Sequence, residues 1–450
     1  MSFVFFLLSV GLLALCGFLC ATLVLGKTLP PLRIALALPL GSLLNALHVL
    51  ALTVLHIPLS PLPLFASTLF LALLLLEAVR CRPPAMIAIP SVRAPAFAKR
   101  ERSAITAVAS AFLCVAFAYA AFHALVLPSA QWDSLSNWTM RSEVSFYDHA
   151  IAFDRDESRG VAKPQYPFLF HALQIAANQG QREWNDHAAN GILFLLSLSS
   201  FAALFLILKM LRGTATALLG ISLITGIPLL AFHLAQGYAD LPLAQFLLLA
   251  LVATVAALET SDGRWLFLAS VLVVAGAWTK LEGLFAGVLP YLLLLGIFWK
   301  QRAFSATILL RNAALAILPS ILFPLFALAH GLLLTAHTSD AALAWSTEGF
   351  SRILPALFAS GSLGAGFFAL LAATLILVLP GNENRMTLDP KLRMTLLWGG
   401  MVFLEYLVLY LFTSNVQFLL NEQSFYRQML VPVTLLGLSL IVSLSRPVKE

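Results

Sequence analysis

Long runs of apolar residues recur along the whole chain, separated by short polar segments. A run of about 18 or more such residues is long enough to cross the roughly 30 Å hydrocarbon core of a bilayer as a helix. The first run has no basic stretch before it and no small-residue cleavage site after it, which predicts a retained helix and not a removable signal peptide. The runs predict about thirteen membrane helices, near 3–25, 34–55, 62–79, 104–126, 187–207, 214–234, 240–258, 265–279, 282–298, 305–335, 355–379, 395–412 and 428–445.

The charges between the apolar runs predict how the chain is oriented. Segment 80–103 carries six Lys or Arg residues and a single Glu. Loops with such an excess of positive charge lie on the cytoplasmic side of a membrane. Alternating the helices outward from this loop places the other basic segments, 209–212, 300–302 and 391–393, in the cytoplasm as well. We therefore expect the amino terminus outside and the carboxyl end inside the cell.

The long polar segment 127–186 then falls on the extracytoplasmic side, and it holds eight of the 21 acidic residues. Residues 134–148 contain neither Gly nor Pro, which predicts a helix along the membrane surface with Trp138 at headgroup level. The prolines of "KPQYPFLFHALQ" predict a break and a new helix from Tyr166 onward. We expect two parts: 1–103, with the first helices and the basic loop, and 104–450, the core with the large loop.

Composition narrows the class of protein further. Residues are 60% hydrophobic and only 11% charged, whereas soluble chains average about 25% charged. The net charge of +6 follows from the bias toward positive cytoplasmic loops, so we expect a lipid bilayer and no nucleic acid as a partner. The four cysteines lie in apolar or basic stretches, which argues against a disulfide framework. The sequence predicts an all-α fold, a polytopic membrane helical bundle.

Polar clusters lie at the predicted outer ends of several helices, where an ionisable group requires a partner or water. The clusters are Asp133, "KPQYP" (163–167), "QGYADLP" (236–242), "WTKLEG" (278–283) and "FYRQ" (425–428). Their placement on one face, far apart in sequence, predicts a functional site. The candidate residues are Trp132, Asp133, Trp138, Lys163, Tyr166, Tyr238, Asp240, Lys280, Glu282, Tyr426 and Arg427.

Six of these residues also have a purely structural interpretation. Asp133 is placed to cap a helix, and Asp240 before Leu-Pro has the pattern of an N-cap. Lys280 and Glu282 flank a short turn and are long enough to reach water from it. The pair at 426–427 consists of residue types favoured at membrane interfaces. The functional prediction therefore rests on the coincidence of these residues on one face.

A metal site and a cofactor are not expected. The histidines are scattered and show no zinc-ligand spacing. Asp154-Arg155-Asp156 has the spacing of a DxD metal motif, which leaves metal binding by Asp154 and Asp156 as an alternative.

The predicted site suits a substrate with a lipid tail, a phosphate and a sugar. Lys163, Lys280 and Arg427 would hold the phosphate, since fixed cations stabilise a departing phosphate electrostatically. Asp133 would remove a proton from the attacking group. Aromatic faces on which a sugar ring could stack are offered by Trp132, Trp138, Tyr166 and Tyr238.

The order of motifs "WDSLSNW", "KPQYPFL", "GYADLPLA", "WTKLEG" and "YRQMLVP" resembles bacterial members of the GT-C superfamily of membrane glycosyltransferases. Within it, the chain is similar to protein-mannosyl and lipid A aminoarabinose transferases, over roughly 104–445. The resemblance implies a GT-C-like fold with Asp133 as the catalytic carboxylate in the first large external loop. It matches Tyr166-Pro167 to the family's "YP" element, with Lys163 beside it as a phosphate ligand. The chain has Asp-Ser at 133–134 where the mannosyl transferases have Asp-Glu.

The expected function is transfer, with inversion, of a sugar from a polyprenyl-phosphate-linked donor. The acceptor would be a lipid, glycan or protein on the outer face of a bacterial inner (plasma) membrane. The alternative is a transporter or flippase of lipid-linked saccharides, which predicts charges along a path across the membrane. A scaffold without activity does not account for so many ionisable groups on one side.

Overall fold

The computed structural model describes residues 2–82, 87–90, 99–127, 129, 133–153, 157–159, 161, 163–332, 343, 345–359, 387–388, 393–420 and 425–445. The α-helices are α1 (Ser2–Leu25), α2 (Pro30–Ala35), α3 (Ala37–Val54), α4 (Pro61–Cys81), α5 (Lys99–Val126), α6 (Met140–Asp148), α7 (Leu169–Asn178), α8 (Asp186–Arg212), α9 (Thr214–Thr225), α10 (Pro228–Gln236), α11 (Asp240–Thr260), α12 (Gly263–Thr279), α13 (Leu289–Lys300), α14 (Ala306–Ala329), α15 (Thr347–Ala359), α16 (Arg393–Phe412), α17 (Val416–Leu420) and α18 (Phe425–Ser443).

Five further elements belong to the described secondary structure. Ser134–Thr139 and Leu284–Val288 are π-helices, and Glu157–Arg159 is a short 3-10 helix. A two-residue antiparallel ladder, β1 (Thr387–Leu388) with β2 (Leu444–Ser445), joins two distant segments. The predicted all-α class and the helical membrane bundle are confirmed.

Seven helices of the described part are long and apolar enough to cross a membrane, namely α1, α3, α4, α5, α8, α11 and α14, with α1 and α5 trimmed by a few residues. Counting α9 with α10 as one bent span gives eight. Shorter apolar helices lie at Gly263–Thr279, Leu284–Lys300 and Leu396–Phe412. The chain is therefore a multi-pass membrane protein, while thirteen spans stays a prediction.

Helix α11 lies at the centre of the bundle. Almost all of it is buried, and it packs against α8, α12 and α18. A helix that is apolar on all sides requires neighbours on all sides, and "LPLAQFLLLALVATVAALE" has that composition. By contrast, α4 and α5 bury little of their surface inside the protein. Their exposed leucine, valine and phenylalanine side chains fit a surface that faces lipid.

Helices α1 and α3 cross at closely apposed glycines. A Cβ atom on Gly17 would overlap the backbone at Ala37, and one on Gly41 would overlap the backbone at Leu13. Without a hydrophobic force between helices in lipid, such small residues permit the close packing that holds helices together.

Two predicted helices are broken in the structure. The run 214–234 forms α9 and α10, which are bent by 85° at Gly226-Ile227. Pro228 lacks an N–H and disfavours the helical conformation at the preceding residue, and Ile227 is extended (φ −68°, ψ 116°). The run 34–55 is divided at Leu36 into α2 and α3.

The other predicted helices are found with shifted ends. The run 282–298 begins as a π-helix before α13. The helix expected from Tyr166 begins three residues later, at Leu169, after a turn. Of the run 355–379, residues beyond 359 lie outside the described part of the chain.

Candidate functional site

Five charged residues from distant parts of the chain meet where several helices end. Asp133 directly precedes the first π-helix, Asp240 is the first residue of α11, and Lys280 ends α12. Glu282 lies in the turn after α12, and Arg427 lies in the first turn of α18. We call these five residues the charged cluster. The sequence predicted that these residues lie together at one end of the bundle, and in the structure the five of them do so.

Lys280 is the buried centre of the charged cluster. Its Nζ lies 2.9 Å from Oδ1 of Asp240 and 2.8 Å from Oε1 of Glu282. The side chains of Lys280 and Asp240 are only 2% exposed, so Lys280 does not reach toward water from the turn. Asp240 is not the N-cap of α11 either, because that position belongs to Ala239. Its carboxylate neutralises a cation in the protein interior.

Arg427 connects this buried pair to the surface. Its Nη1 donates a hydrogen bond to Oδ2 of Asp133, and its Nε lies 3.3 Å from Oδ2 of Asp240. Asn137 donates from Nδ2 to the other oxygen of Asp133. The side chains of Asp133, Glu282 and Arg427 are 26%, 27% and 19% exposed. Asp133, Glu282 and Arg427 are therefore the partly exposed members of the cluster, and Asp240 and Lys280 are its buried members.

An aromatic stack supports the cluster from within the protein. Trp138 stacks on Tyr166 with 4.8 Å between ring centroids and lies 5.8 Å from His171. Nζ of Lys280 lies 6.0 Å from the centroid of the Trp138 ring, within cation–π range. Trp138 is 1% exposed, so its predicted position in the headgroup zone is wrong. The ring is covered by Tyr166 and His171 instead of by lipid.

Polar groups beneath the stack hold it in place. The buried Arg141 donates from Nη1 to the carbonyl of Tyr166 (2.6 Å) and from Nε to the carbonyl of Ala152 (3.0 Å). The hydroxyl of Ser142 lies 2.9 Å from Nδ1 of His171. Burial lowers the pKa of His171 well below its usual value, and the charge of Arg141 adds to this. Burial likewise raises the pKa of Tyr166.

Tyr238 covers the other side of Arg427. The guanidinium carbon lies 5.4 Å from the centroid of the Tyr238 ring, which stacks on His233 at 4.6 Å. Gly237 permits this approach with a φ of +62°, and a Cβ there would lie 3.0 Å from Oδ1 of Asn190. Tyr238 therefore contacts a cation of the charged cluster.

Of the other candidate residues, some lie near the charged cluster and the rest are not among the described residues. Lys163 opens the turn in which its carbonyl accepts a hydrogen bond from the backbone N–H of Tyr166 (3.3 Å). Tyr426 packs against the hydrophobic core and contacts Phe425 edge to face. Trp132, Asp154 and Asp156 fall outside the described residues.

Two further residues near the cluster, Tyr406 and Tyr410, were not predicted from the sequence. Tyr410 donates a hydrogen bond to Oε1 of Gln428, the neighbour of Arg427. Tyr406 lies one turn before Tyr410 in α16, and both side chains are buried. The signal was present, because positions 406 and 410 lie one turn apart on the same face of α16.

A metal ion is not suggested by the side chains that the structure describes. Among them, no group of three or more His, Cys, Asp or Glu residues is arranged to hold one. Asp133, Asp240 and Glu282 are instead close to the cations Lys280 and Arg427.

Comparisons with models of protein families, with curated proteins and with solved structures find no match to this chain. The geometry of the charged cluster and the order of the sequence motifs are therefore the basis for assigning a function.

Proposed function

We propose that this chain is a membrane glycosyltransferase with a GT-C-like fold. It would move a sugar, with inversion, from a polyprenyl-phosphate-linked donor to an acceptor on the extracytoplasmic face. The observation that carries the proposal is the pairing of Asp133 with Arg427. These residues are 294 positions apart, yet they meet at the partly exposed side of the charged cluster. About thirteen membrane helices and an inner (plasma) membrane location belong to the same proposal.

The donor phosphate would bind at Arg427. Nη1 and Nε of this residue face Asp133 and Asp240, while Nη2 makes no hydrogen bond within the described part of the chain. A planar guanidinium suits two-point contact with phosphate oxygens. The cluster contains three carboxylates and two cations, so it has no surplus positive charge. Lys163, in the turn before Tyr166, would supply the further charge that a phosphate requires.

Asp133 would act as the general base. As the oxygen of the acceptor hydroxyl forms a bond to the anomeric carbon, its proton passes to Asp133. The bond from that carbon to the phosphate oxygen breaks on the opposite side, which inverts the configuration. Polyprenyl phosphate leaves with the electron pair, and its charge is stabilised by Arg427 and Lys163. Asn137 holds the remaining oxygen of Asp133 and so fixes the direction of the carboxylate.

The buried residues would position this machinery. Lys280, paired with Asp240 and Glu282, fixes Asp240 against Arg427. Trp138 is buried, so a sugar ring does not reach it, and we assign it to supporting Tyr166 and Lys280. Tyr238, which is also buried, lies over the guanidinium of Arg427 and would hold this side chain in place for the donor phosphate.

The test replaces the carboxylate of Asp133 by an amide. Asp133→Asn should lower sugar transfer from a short-chain polyprenyl-phosphate sugar to membrane extract by about 10²–10⁴-fold, because a positioned general base contributes that much. Binding of the donor should persist or strengthen, since Arg427 loses a competing carboxylate. Asp148→Asn is the matched control, because Asp148 lies in the same loop and pairs with Arg159 at the surface.

Two results would contradict the proposal. Transfer by Asp133→Asn at the rate of the parent would exclude Asp133 as the base.

The transporter alternative is tested in vesicles that contain the protein and a fluorescent lipid-linked sugar. We expect the label to stay in its leaflet. Crossing of the label faster than in protein-free vesicles, without transfer, would favour a flippase.

A further inference from the structure

A second charged site lies at the opposite end of α12. Arg264 is in the first turn of this helix and Lys280 ends it, which separates the two residues by about 24 Å along the axis. Around Arg264 lies a cavity of about 370 Å³ between α1, α4, α12 and α14. We call it the basic cavity. Its charged lining residues are Lys27, Arg82, Arg264 and Arg311, and its apolar lining includes Leu23, Val24, Val79 and Phe267.

Positive charge dominates the basic cavity. Arg264 pairs with Asp262, whose carboxylate lies 2.6 Å from Nη2. Lys27, Arg82 and Arg311 form no ion pair with a carboxylate among the residues that the structure describes. Three positive charges thus line one cavity. Like charges around one cavity repel one another, so the arrangement favours an anion within it.

Two of the cations are held in place by the apolar wall. Arg82 donates from Nη1 to the carbonyl of Leu23 (3.2 Å). The guanidinium of Arg311 lies over the ring of Phe267, 5.7 Å from its centroid. These contacts fix two charges without neutralising them, which prepares the cavity for a ligand.

The surroundings of the cavity favour a lipid as the ligand. Helices α4 and α14, which form two of its walls, bury only a minor part of their surface inside the protein. An acyl chain could therefore lie along them while a headgroup enters the cavity. The site also adjoins segment 80–103, which the charge distribution predicts to be cytoplasmic, and basic pockets at this level hold anionic headgroups in other membrane proteins.

We propose that the basic cavity binds the phosphate headgroup of an anionic membrane lipid. The phosphate contacts Lys27, Arg82 and Arg311, and the acyl chains follow the apolar surfaces of α4 and α14. This site is separate from the charged cluster and does not depend on the proposed transferase activity. The lipid would fill the space between helices that their own side chains leave open.

The experiment measures lipid binding to the full chain in a zwitterionic detergent. Phosphatidylglycerol is titrated, and bound lipid is counted by native mass spectrometry. A double variant, Lys27→Ala with Arg311→Ala, should bind phosphatidylglycerol roughly 30-fold more weakly, because each cation near the surface contributes about a factor of five. The matched control is Lys209→Ala with Lys300→Ala. It removes the same charge from exposed positions that do not line the cavity.

Three further measurements complete the test. Circular dichroism and elution volume check that both double variants fold. Equal losses of affinity in the two variants would overturn the proposal, because general attraction would then explain the binding. Phosphatidylcholine with the same acyl chains should bind weakly, and binding as tight as that of phosphatidylglycerol would also overturn it. Displacement by glycerol phosphate at matched concentration would show that the ligand is a soluble phosphate and not a lipid.

Discussion

The charged cluster and the basic cavity contain the same types of charged side chain but differ in the balance of charge. The cluster has more carboxylates than cations, and the cavity has more cations than carboxylates. In the cluster, Lys280 and Arg427 are close to three carboxylates, and Lys280 is almost completely buried. In the cavity, four cations have the single carboxylate of Asp262 beside them, and most of them are exposed. The comparison separates two uses of positive charge. A buried, paired cation fixes geometry, whereas an exposed, unbalanced set attracts anions from a distance.

The largest expected effect is a loss of stability when one carboxylate is removed from the charged cluster. Asp240→Asn removes the buried carboxylate that faces both Lys280 and Arg427, and should lower the free energy of unfolding by up to about 3–5 kcal/mol, because the two cations keep only the partly exposed Glu282 and Asp133 as counter-charges. The exposed pair of Asp148 with Arg159 should contribute less than about 1 kcal/mol, measured in Asp148→Asn. Unfolding in detergent by heat or denaturant gives both values. Equal losses would show that burial of the pair is unimportant.

The next effect concerns binding of the donor. Arg427→Ala and Lys163→Ala should each weaken it by roughly 10–150-fold, since each removes a charge-assisted hydrogen bond to phosphate. Arg427→Lys should recover only part of the loss, because an ammonium does not make the two-point contact. Arg159→Ala, in the same loop, is the control. Unchanged donor affinity in both alanine variants would place the phosphate elsewhere.

Ionic strength should change ligand affinity at the two sites to different extents, by a smaller factor than the substitutions do. Raising the ionic strength from about 0.01 M to about 0.15 M shortens the screening length from about 30 Å to about 8 Å. Binding of phosphatidylglycerol at the exposed cavity should weaken several-fold over this range. Binding of the donor at the partly buried cluster should change less, because buried pairs are screened less. The same salt dependence at both sites would remove the distinction drawn between them.

The smallest expected effect comes from pH. His171 has a lowered pKa in the folded protein, so below about pH 6.5 the unfolded chain binds a proton that the folded chain does not. Stability therefore falls as the pH drops through this range, by up to about 1.4 kcal/mol per unit. His171→Gln removes this contribution. A parent and variant whose melting temperatures change equally between pH 7.5 and about 5.5 would contradict the prediction.

The apolar runs predicted most helices because each run is continuous and bounded by polar residues. They failed at Pro228, where the run remains apolar although the backbone has to bend. A hydropathy pattern records which side chains suit lipid, not where an N–H is missing. The helix at 355–379 stays a prediction beyond residue 359.

For the candidate site, the sequence predicted which helix ends carry charge but not the pairs that form. Lys280 with Glu282 is local and could be expected from spacing. Asp133 with Arg427 depends on the packing of helices almost 300 positions apart, which a single sequence does not encode locally. Burial of Trp138 was missed for the same reason. Its stacking partner Tyr166 lies in a proline-containing turn that follows the helix of Trp138, and the sequence does not show that this turn folds back onto the helix.

The two π-helices, Ser134–Thr139 and Leu284–Val288, begin shortly after cluster residues Asp133 and Glu282. A π-turn holds one residue more than the α-turn it replaces. Loss of one residue there would restore an α-turn and leave the segments on either side in nearly the same relative orientation. Asp133 and the residues of α6 would keep their directions, whereas side chains inside the turn, Trp138 among them, would move around the helix axis. In related chains, a one-residue gap in this interval would therefore be compatible with a retained Asp133 but would change which side chains support it.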